Sequence, residues 1–457
     1  MRITIIGTGY VGLTTGVGLA FLGHQVTCVD VLADRVESIS NGHPPFYEPG
    51  LEQMLATVLK SKTLSLTTEL ARAVLDSDVT FITVGTPQGE RGIELSYVAQ
   101  AARQVGKALK SSTRYHVVVV KSTVVPGTTD SLVRENLEEG SGMQVGEFGL
   151  CMNPEFLREG SAIDDFMSPD RVVIGEWDER SGQVLAEIYQ SFDCPKIFTT
   201  TRNAEMIKYT SNALLATLVS FSNEIAALCE ATPDTDIQVV MDALHLDHRL
   251  SPFVDGEVVS PGILSYLRAG CGFGGSCLPK DVNALRTYAR EIGVTPRLLD
   301  AVIAVNAERP ERLAIAAERA LGSLKEKTVA VLGLSFKANT DDVRESPALA
   351  VMETLLARGA GVKAYDVRVR SLPSTASAVE LCSTPEEALC GADAVVVVTA
   401  WPEFADLDWL RLCVSMRNQV VIDGRNLLSN VSWPVGVRYY AIGRGAENGR
   451  KHAVALR

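Results

Sequence analysis

The sequence lacks an excess of positive charge, because 55 aspartate and glutamate residues outnumber 43 lysine and arginine residues and the net charge is −12. This balance argues against nucleic acid or an anionic membrane as the main partner. The sequence also lacks an apolar run of the roughly eighteen residues that cross a bilayer. Its opening, "MRITIIGTGYVG", predicts a strand and a turn instead of a signal peptide. We therefore expect no nucleic-acid partner and no membrane partner.

Paired cysteines are also missing. The nine cysteines are odd in number, scattered, and without the paired spacing that is typical of zinc sites. We therefore expect no metal site. Reduced thiols in the cytoplasm are the interpretation that this pattern favours.

The composition that is present is that of a folded protein, with 46% apolar and 21% charged residues. A chain of 457 residues exceeds one hydrophobic core, so two or three domains are expected.

The first fifty residues predict a dinucleotide site. Gly7, Gly9 and Gly12 form a G-x-G-x-x-G motif directly after the apolar run of residues 3–6. The glycines permit a tight turn, close approach of backbone to a pyrophosphate, and close packing of helix on strand. Asp30 ends the next predicted strand, where it can accept hydrogen bonds from a ribose diol, and this favours NAD over NADP. A glycine-rich turn without a nucleotide is the weaker interpretation.

A second strand–turn–helix–strand pattern occupies residues 325–367, with a turn at Gly333 and a strand that ends at Asp366. Ser346 and Pro347 are good first residues for its helix. The turn lacks the glycine motif and contains a lysine in "GLSFK", which suits a phosphate bound by side chains. We expect a second doubly wound sheet with a different ligand.

Between these halves, residues 203–231 carry apolar residues at three- and four-residue spacing with no proline. This pattern predicts a long helix that joins two domains or forms a dimer interface. Lys208 and Asn212 share one face of that helix, because they are four residues apart.

Nine motifs occur in order along almost the whole chain: "GTGYVG", "EPGLE", "VGTP", "KSTVVPGTT", "NPEFLREG", "NAEMIKYTSN", "FGGSCLPKD", "GLSFKANTDDVRESP" and "DGRN". Together they resemble the UDP-glucose/GDP-mannose dehydrogenase family, NAD-dependent enzymes that oxidise a sugar-nucleotide alcohol twice, to a carboxylate. The resemblance implies an α/β fold of two doubly wound Rossmann-like domains, joined by a long central helix and a helical dimerisation region. The expected domains are an NAD-binding domain at 1–200, a central domain with the reactive cysteine at 201–305, and a sugar-nucleotide domain at 320–457.

The resemblance implies a chemical role for the thiol of Cys277, that of a nucleophile. Oxidation of an aldehyde to an acid needs a covalent adduct from which a second hydride can leave, and a cysteine supplies it as a thiohemiacetal and then a thioester. Cys277 precedes Pro279, a favoured first helical residue, so its sulfur is expected at a helix N-terminus, which favours thiolate. Cys271 is the rival nucleophile. The glycines of "GFGGSC" are expected to leave space for substrate.

The resemblance also assigns site residues. Lys208 would stabilise the alkoxide and oxyanion, Asn212 would hold the sugar or oxyanion, and Asp281 with Thr123 would position a water. Glu155 would act in thioester hydrolysis or proton transfer. The implied catalytic residues are Cys277, Lys208, Asn212, Asp281, Glu155 and Thr123. The implied NAD-binding residues are Gly7, Gly9, Tyr10, Val11, Gly12, Asp30, Arg35, Thr86 and Thr123. The implied substrate-binding residues are Glu155, Phe156, Leu157, Arg158, Glu159, Lys208, Asn212, Arg249, Tyr266, Phe273, Gly274, Lys337 and Arg425.

Alternative interpretations of several residues are structural. Asp281 could be an acid that favours a first helical turn, and Glu155 a solvated loop acid. Arg344 and Asp342 are expected to form an ion pair or to anchor their loop, outside the chemistry. Arg249 resembles an arginine that reaches the sugar from a partner subunit, although the following "SPFVDGEVVSPGIL" is longer than in many relatives.

The substrate expected from "FGGSC" and "DGRN" is UDP-glucose, oxidised at its C6 alcohol to UDP-glucuronate, in a homodimer or higher homo-oligomer. The alternative is GDP-mannose oxidised to GDP-mannuronate, because other stretches read equally like that branch. A nucleotide-sensing scaffold that lost catalysis is a less favoured alternative, as is an alcohol dehydrogenase that stops at the aldehyde. Neither would require Cys277.

Overall fold

A computed structural model describes residues 1–89 and 92–445. The chain divides into two compact units, the first formed by residues 1–211 and 287–293 and the second by residues 212–286 and the chain from 294 onward. Residues 446–457 of the expected third domain lie outside the described residues.

The described residues of the first unit form ten strands. They are β1 (Arg2–Ile6), β2 (Gln25–Val29), β3 (Leu64–Thr67), β4 (Val79–Ile82), β5 (Gln88–Gly89), β6 (Gly92–Ile93), β7 (Val117–Val120), β8 (Gly149–Met152), β9 (Val172–Glu176) and β10 (Lys196–Thr200). Eight of them form one sheet in the order β10-β9-β8-β7-β4-β1-β2-β3, while β5 and β6 pair as a short hairpin. All neighbours in the sheet are parallel except β8 and β9.

The helices of the first unit cover both faces of this sheet's strands, which are continuous apolar runs such as the fully buried β7. They are α1 (Tyr10–Phe21), α2 (Ala33–Ser40), α3 (Leu51–Lys60), α4 (Leu70–Asp76), α5 (Ser96–Leu109), a π-helical turn (Thr129–Val133), α6 (Arg134–Ser141), α7 (Ala162–Met167) and α8 (Glu179–Ile188). The strand order reverses between β1 and β4, and this is where open α/β sheets bind ligands.

The long helix predicted between the halves is α9 (Thr201–Ala231), which begins in the first unit and ends in the second. By length and composition α9 could cross a membrane, which corrects the expectation that no segment is that apolar. A single helix of this kind is weak evidence, because core helices of soluble proteins meet the same criteria. Glu205 and Asn223 of α9 are completely buried and hydrogen bonded to other parts of the protein.

Up to residue 445, where the described part of the chain ends, the second unit contains eight further strands. They are β11 (Phe253–Val254), β12 (Glu257–Val258), β13 (Thr328–Leu332), β14 (Gly361–Tyr365), β15 (Glu380–Leu381), β16 (Ala394–Val397), β17 (Val420–Asp423) and β18 (Arg438–Ala441). Six form an all-parallel sheet in the order β15-β14-β13-β16-β17-β18, and β11 and β12 form a hairpin. Its helical segments are α10 (Ile237–His245), a 3₁₀ turn (Gly262–Tyr266), α11 (Leu278–Glu291, whose last turns belong to the first unit), α12 (Arg297–Leu321), α13 (Pro347–Ala357), a 3₁₀ turn (Ser374–Ala376), α14 (Pro385–Leu389), α15 (Pro402–Ala405) and α16 (Trp409–Ser415).

The second sheet begins as the sequence predicts. Ser346 caps α13 by accepting a hydrogen bond from the Ala348 N–H at 3.2 Å, and Pro347 is the first helical residue. The turn after β13 passes through Gly333 with a φ of +89°. The predicted fold class, two doubly wound parallel sheets and a long central helix, is therefore confirmed.

Asp366, which follows β14, has different surroundings from Asp30 after β2. Its Oδ2 accepts hydrogen bonds from the Leu334 N–H at 2.6 Å and from the indole Nε1 of Trp401 at 3.1 Å. Its Oδ1 accepts one from the Arg368 N–H at 2.7 Å. The carboxylate therefore holds the turn of its own sheet together.

Candidate active site

The glycine turn after β1 has the geometry that a pyrophosphate site needs. Gly7 has a φ of +96°, and a Cβ added at Gly12 would overlap the carbonyl oxygen of Gly7. A Cβ added at Gly9 would meet nothing within 4 Å, so the backbone there is open. Thr83, which the sequence reasoning missed, donates from Oγ1 to the carbonyls of Ile6 and Gly7 at 2.8 and 2.9 Å. The residues present therefore fit a dinucleotide at this turn.

Asp30 is held as an ionised acid beside the turn. Its Oδ2 accepts hydrogen bonds from the N–H and the hydroxyl of Thr8 at 2.9 and 2.6 Å, and it pairs with Arg35 at 3.3 Å. Burial works against the charged form, but these partners and the Leu32 N–H outweigh it, so the pKa of Asp30 is lowered. An ionised acceptor at this position suits a ribose diol.

Glu48, from the "EPGLE" motif, is a buried residue for which sequence reasoning gave no role. It accepts hydrogen bonds from the phenol of Tyr10, from the Gly160 N–H at 2.7 Å and from the Ala162 N–H at 2.7 Å. Burial and the Glu48 carboxylate raise the pKa of Tyr10, which keeps the phenol a donor. Glu48 therefore joins the first turn of α1 to the "FLREG" loop. The quoted motif was the only sequence signal for it.

Thr86 and Thr123 lie beyond the carboxyl ends of the neighbouring strands β4 and β7. The Thr86 hydroxyl donates to the carbonyl oxygen of Thr123 at 2.9 Å. The two predicted NAD residues are therefore brought together at the edge where the glycine turn also lies.

Glu155 and Lys208 form a buried ion pair. Lys208 Nζ lies 2.8 Å from Glu155 Oε1, and the Leu157 N–H donates to Oε2 at 2.7 Å. Burial raises the pKa of Glu155, but the Lys208 and Lys121 charges and the Leu157 hydrogen bond outweigh that effect, so the pKa is lowered. The alternative of a solvated loop acid is wrong for Glu155, which is only 6% exposed.

The rest of the "FLREG" loop is oriented by its own contacts. Phe156 faces two cations, with Lys208 Nζ at 5.7 Å and the Arg171 guanidinium at 4.1 Å from its ring centre. Arg158, expected at the substrate, pairs with Asp165 at 2.5 Å and is largely exposed, whereas Glu159 is buried.

Cys277 lies directly before the first residue of α11, and its carbonyl accepts the Asp281 N–H at 2.8 Å. The helix begins at Leu278, so Pro279 is its second residue and not its first as expected. The thiol is half-buried at this helix N-terminus. Cys271, in contrast, is completely buried, and burial raises the pKa of its thiol.

Asp281 is buried and paired within the second unit. The amide of Asn212 donates to Oδ2 at 2.6 Å, and Lys280 Nζ lies 2.5 Å from Oδ1. Asp281 is 1% exposed and lies in the first turn of α11, so the alternative of an acid that favours a first helical turn stays open beside the catalytic one. Lys280 is a partner that sequence reasoning missed, because adjacent helical residues do not usually face each other.

The glycines before Cys277 make room for the protein itself. A Cβ added at Gly272 would lie 2.6 Å from Asn306 Oδ1, and one added at Gly275 would lie 2.7 Å from the Phe336 ring. A Cβ added at Gly274 would overlap the carbonyl oxygen of Glu345. The space that these glycines leave on this side of the chain is therefore occupied by the protein itself, and their expected role of leaving space for substrate stays a prediction.

Polar side chains fix the backbone of that same turn. Asn306 accepts from the Phe273 N–H at 2.7 Å and donates to the Phe273 carbonyl at 3.0 Å. Arg425 donates from Nε to the Val398 carbonyl at 2.7 Å and from Nη2 to the Gly272 carbonyl at 3.3 Å. Arg425, predicted for the substrate, thus also anchors the turn before Cys277.

The remaining predicted residues have local partners. Arg249 pairs with Asp247 at 2.5 Å and leaves 88% of its side chain exposed. Arg344 pairs with Asp342 at 2.6 Å, as expected. Tyr266 ends a 3₁₀ turn, and Lys337 Nζ lies 5.6 Å from the centre of the Phe336 ring.

The predicted residues therefore fall into two groups. Thr123, Glu155 and Lys208 belong to the first unit, whereas Asn212, Cys277 and Asp281 belong to the second. Within the described residues, no cluster of three or more His, Cys, Asp or Glu side chains could hold a metal ion. All nine cysteines lie in the described part of the chain and are free thiols.

Comparison with known proteins finds matches to three domains of the UDP-glucose/GDP-mannose dehydrogenase family. The NAD binding domain of that family matches residues 1–193, the central domain matches residues 202–308, and the UDP binding domain matches residues 330–430. The chain is 41% identical over 456 residues to UDP-glucose 6-dehydrogenase YwqF of Bacillus subtilis (strain 168), covering 98% of each. It is also 41% identical over 456 residues to UDP-glucose 6-dehydrogenase of Rhizobium meliloti (strain 1021), covering 97% of this chain and all of that one.

A solved structure agrees. A UDP-glucose dehydrogenase from the archaeon Pyrobaculum islandicum superposes with a TM-score of 0.86 at 39% identity, covering 97% of this chain and 98% of its own. Because the three domains match in order and the relatives match over nearly the whole length, this protein belongs to the UDP-glucose/GDP-mannose dehydrogenase family, with an NAD-binding domain at its N-terminal end.

Proposed function

We propose that this protein catalyses the four-electron oxidation of the C6 alcohol of UDP-glucose to UDP-glucuronate. The observation that carries the proposal is the half-buried thiol of Cys277 at the start of α11, a position where the helix N-terminus favours a thiolate. The names of the relatives, UDP-glucose 6-dehydrogenases at 41% identity, support the choice of sugar nucleotide.

In this proposal NAD+ held at the glycine turn and by Asp30 would supply the hydride acceptor for each of the two oxidations, one NAD+ for each. Lys208 donates hydrogen bonds to the alkoxide that forms at C6 as the alcohol loses its proton. The Cys277 thiolate then adds to the aldehyde carbon and forms a thiohemiacetal, whose oxygen Lys208 and Asn212 stabilise. Loss of the second hydride leaves a thioester on Cys277.

Hydrolysis completes the reaction. Water adds to the thioester carbon, the carbon–sulfur bond breaks, and the thiolate of Cys277 returns with the carboxylate as product. Asp281 and Thr123 position this water, and Glu155 accepts a proton from it in our assignment. Arg425, Lys337, Tyr266 and the "FLREG" loop bind the sugar nucleotide. Arg249, exposed on its own chain, binds the sugar of a partner subunit.

We also propose a homodimer or higher homo-oligomer in the cytoplasm, with three domains near residues 1–200, 201–305 and 320–457. Leu214, Phe221 and Leu228 of α9 support an oligomer, because they lie seven residues apart and are each about half exposed. Such spacing is typical of helix-to-helix packing. Sedimentation of the wild type and of the Phe221→Glu variant would test this, since a loss of the larger species is expected.

The test of the reaction is the number of NADH formed per sugar nucleotide consumed, measured in parallel with UDP-glucose and GDP-mannose. Two NADH per UDP-glucose is the expected result. One would mean that the enzyme stops at the aldehyde and that Cys277 has another role. Turnover of GDP-mannose alone would move the substrate to the other branch, and no turnover with either would favour a scaffold.

A further inference from the structure

Lys121, the first residue of the "KST" motif, is a buried cation for which the proposed mechanism has no use. It follows β7 and is 5% exposed. Among the described residues its Nζ has one hydrogen-bond acceptor, Asn153 Oδ1 at 2.8 Å, and it also faces the Tyr189 ring at 5.9 Å. Burying an ammonium group without a direct ion pair costs free energy on the order of several kcal/mol. We therefore expect a compensating interaction.

The charges that act on Lys121 belong to the predicted catalytic pair. The carboxylate of Glu155 attracts it and the ammonium of Lys208 repels it. The other polar groups that face it, Asn153 and the Tyr189 ring, carry no charge, because burial raises the pKa of Tyr189. Asn153 begins the "NPEF" segment, so the hydrogen bond from Lys121 also holds the chain two residues before Glu155.

The net charge of Lys121, Glu155 and Lys208 together decides how strongly Lys208 can stabilise a negatively charged substrate oxygen. Lys208 lies 2.8 Å from Glu155, so the carboxylate alone would cancel most of the positive potential at Lys208. With Lys121 protonated the three groups carry a net charge of +1, and with Lys121 neutral they carry none. A developing alkoxide is stabilised by the first arrangement and much less by the second.

We propose that Lys121 is a positioning residue for the reaction: its charge balances that of Glu155, so that the charge of Lys208 acts on the substrate oxygen. This inference rests on the proposed function, in which Lys208 stabilises that oxygen. Burial lowers the pKa of Lys121 to about 8, with Glu155 opposing and Lys208 adding to this effect. The free enzyme should therefore lose activity as Lys121 loses its proton above about pH 8.

The decisive variant is Lys121→Met, which keeps the length of the side chain and removes its charge. It should fold, because Asn153 Oδ1 keeps a hydrogen bond from the Tyr189 hydroxyl at 2.7 Å. We expect kcat with UDP-glucose to fall about tenfold, less than for a donor that touches the oxyanion, with KM and NAD affinity nearly unchanged. The alkaline limb of kcat/KM near pH 8 should disappear. Lys121→Arg, which cannot lose its proton, should keep kcat to higher pH.

Two parallel variants separate the possible failures. Lys110→Met, an exposed lysine of the same unit, is the matched control and should leave kcat and the pH profile unchanged. If Lys208→Ala is strongly impaired while Lys121→Met keeps wild-type kcat and pH profile, our inference about Lys121 is wrong. If Lys208→Ala keeps its activity, the proposed role of Lys208 fails instead.

A measurement on the wild type covers variants that do not fold. The charge of Lys121 can be followed by NMR of lysine labelled with ¹³C at Cε, with the Lys121→Arg spectrum for assignment. Protonation of Lys121 at pH 7 and its titration near pH 8 would support the proposal. A Lys121 that is neutral throughout the active pH range would overturn it.

Discussion

At the scale of single residues, the two thiols near "GFGGSC" show how surroundings select chemistry. Cys271 lies completely buried, where its sulfur donates to the Gly424 carbonyl at 3.1 Å and fills space that a sugar cannot reach. Cys277 lies at the start of α11 and is half-buried, where the partial positive charge of the helix favours thiolate. The first thiol packs and the second can react.

This contrast predicts opposite effects of replacing the two thiols. Cys277→Ala should form no acid while NAD affinity stays nearly unchanged, because the covalent adduct cannot form. Cys271→Ala should keep acid formation and lower the melting temperature. Acid product and NAD binding are measured for both variants by chromatography and calorimetry. Wild-type acid formation by Cys277→Ala would rule out the covalent route.

The Glu155–Lys208 pair gives a prediction for stability and pH. Removing Lys208 leaves Glu155 buried without its ion-pair partner, which costs about 3–5 kcal/mol when a buried pair is broken. The pKa of Glu155 is lowered in the wild type, so its contribution to stability is present above its unfolded pKa, about 4.5, and is lost at lower pH. In Lys208→Met the pKa of Glu155 should be raised instead.

In Lys208→Met the direction in which stability changes with pH should therefore be opposite to that contributed by Glu155 in the wild type. The melting temperature of Lys208→Met should rise as the pH falls from 7 to 5, because protonation relieves the buried carboxylate. The double variant Lys208→Met, Glu155→Gln serves as the control and should show no such rise. A pH profile of Lys208→Met that matches the wild type would mean that the pair does not set the charge of Glu155.

At the scale of elements, the turn before α11 is held by α12 and by the loop after β13. Asn306 of α12 binds both backbone groups of Phe273, and the Gly274 backbone packs on Glu345. Pro310 lies inside α12 and cannot donate the helical hydrogen bond to the Asn306 carbonyl. The turn that carries the thiol therefore depends on helix and loop positions distant in sequence.

Gly274→Ala tests whether this glycine serves the fold or the substrate. The added Cβ would overlap the Glu345 carbonyl, so the free energy of unfolding should fall by about 1–3 kcal/mol, the usual cost of overpacking. Gly262→Ala, whose Cβ would meet nothing within 4 Å, is the matched control and should leave stability unchanged. Unchanged stability of Gly274→Ala with a raised KM for UDP-glucose would instead support a role in substrate binding.

The same elements show what sequence could and could not predict. The roles of Gly7, Gly12 and Asp30 were predictable, because their backbone conformation, packing and hydrogen bonds are set within one strand–turn–helix–strand unit. The residues that hydrogen bond to the site residues were not predictable from the sequence. Lys121 meets Asn153, and Phe273 meets Asn306, only because separate strands and helices pack together. The contacts of the glycines before Cys277 with Asn306, Glu345 and Phe336 were not predictable for the same reason.

At the scale of the whole molecule, two sheets of similar topology have ends of different chemistry. Asp30 and Asp366 are both buried and both accept hydrogen bonds from the turn of their own sheet, but Asp366 also accepts one from the indole of Trp401, whereas Asp30 pairs with Arg35 beside an exposed Val31. Most of the second sheet lies within residues 330–430, the domain matched as UDP binding. Because the G-x-G-x-x-G motif occurs at the turn of the first sheet and is absent from that of the second, we expect one dinucleotide site per chain.

Calorimetry should accordingly find one NAD bound per chain. Asp30→Ala should weaken NAD binding about ten- to a hundredfold, which corresponds to the loss of hydrogen bonds to a charged group. Asp34→Ala on the exposed face of α2 is the control and should bind NAD as the wild type does. Two equivalent NAD sites per chain would contradict the different roles of the two aspartates.

Trp401, whose indole hydrogen bonds to Ser335 and Asp366, also contributes to the intrinsic fluorescence of the protein. Of the four tryptophans, Trp401, Trp409 and Trp433 belong to the second unit, and the first unit holds only Trp177. Ultraviolet-excited emission from the unmodified protein therefore comes mainly from the second unit, which contains the domain matched as UDP binding. A shift in that emission on adding UDP would follow ligand binding there directly, without any attached dye.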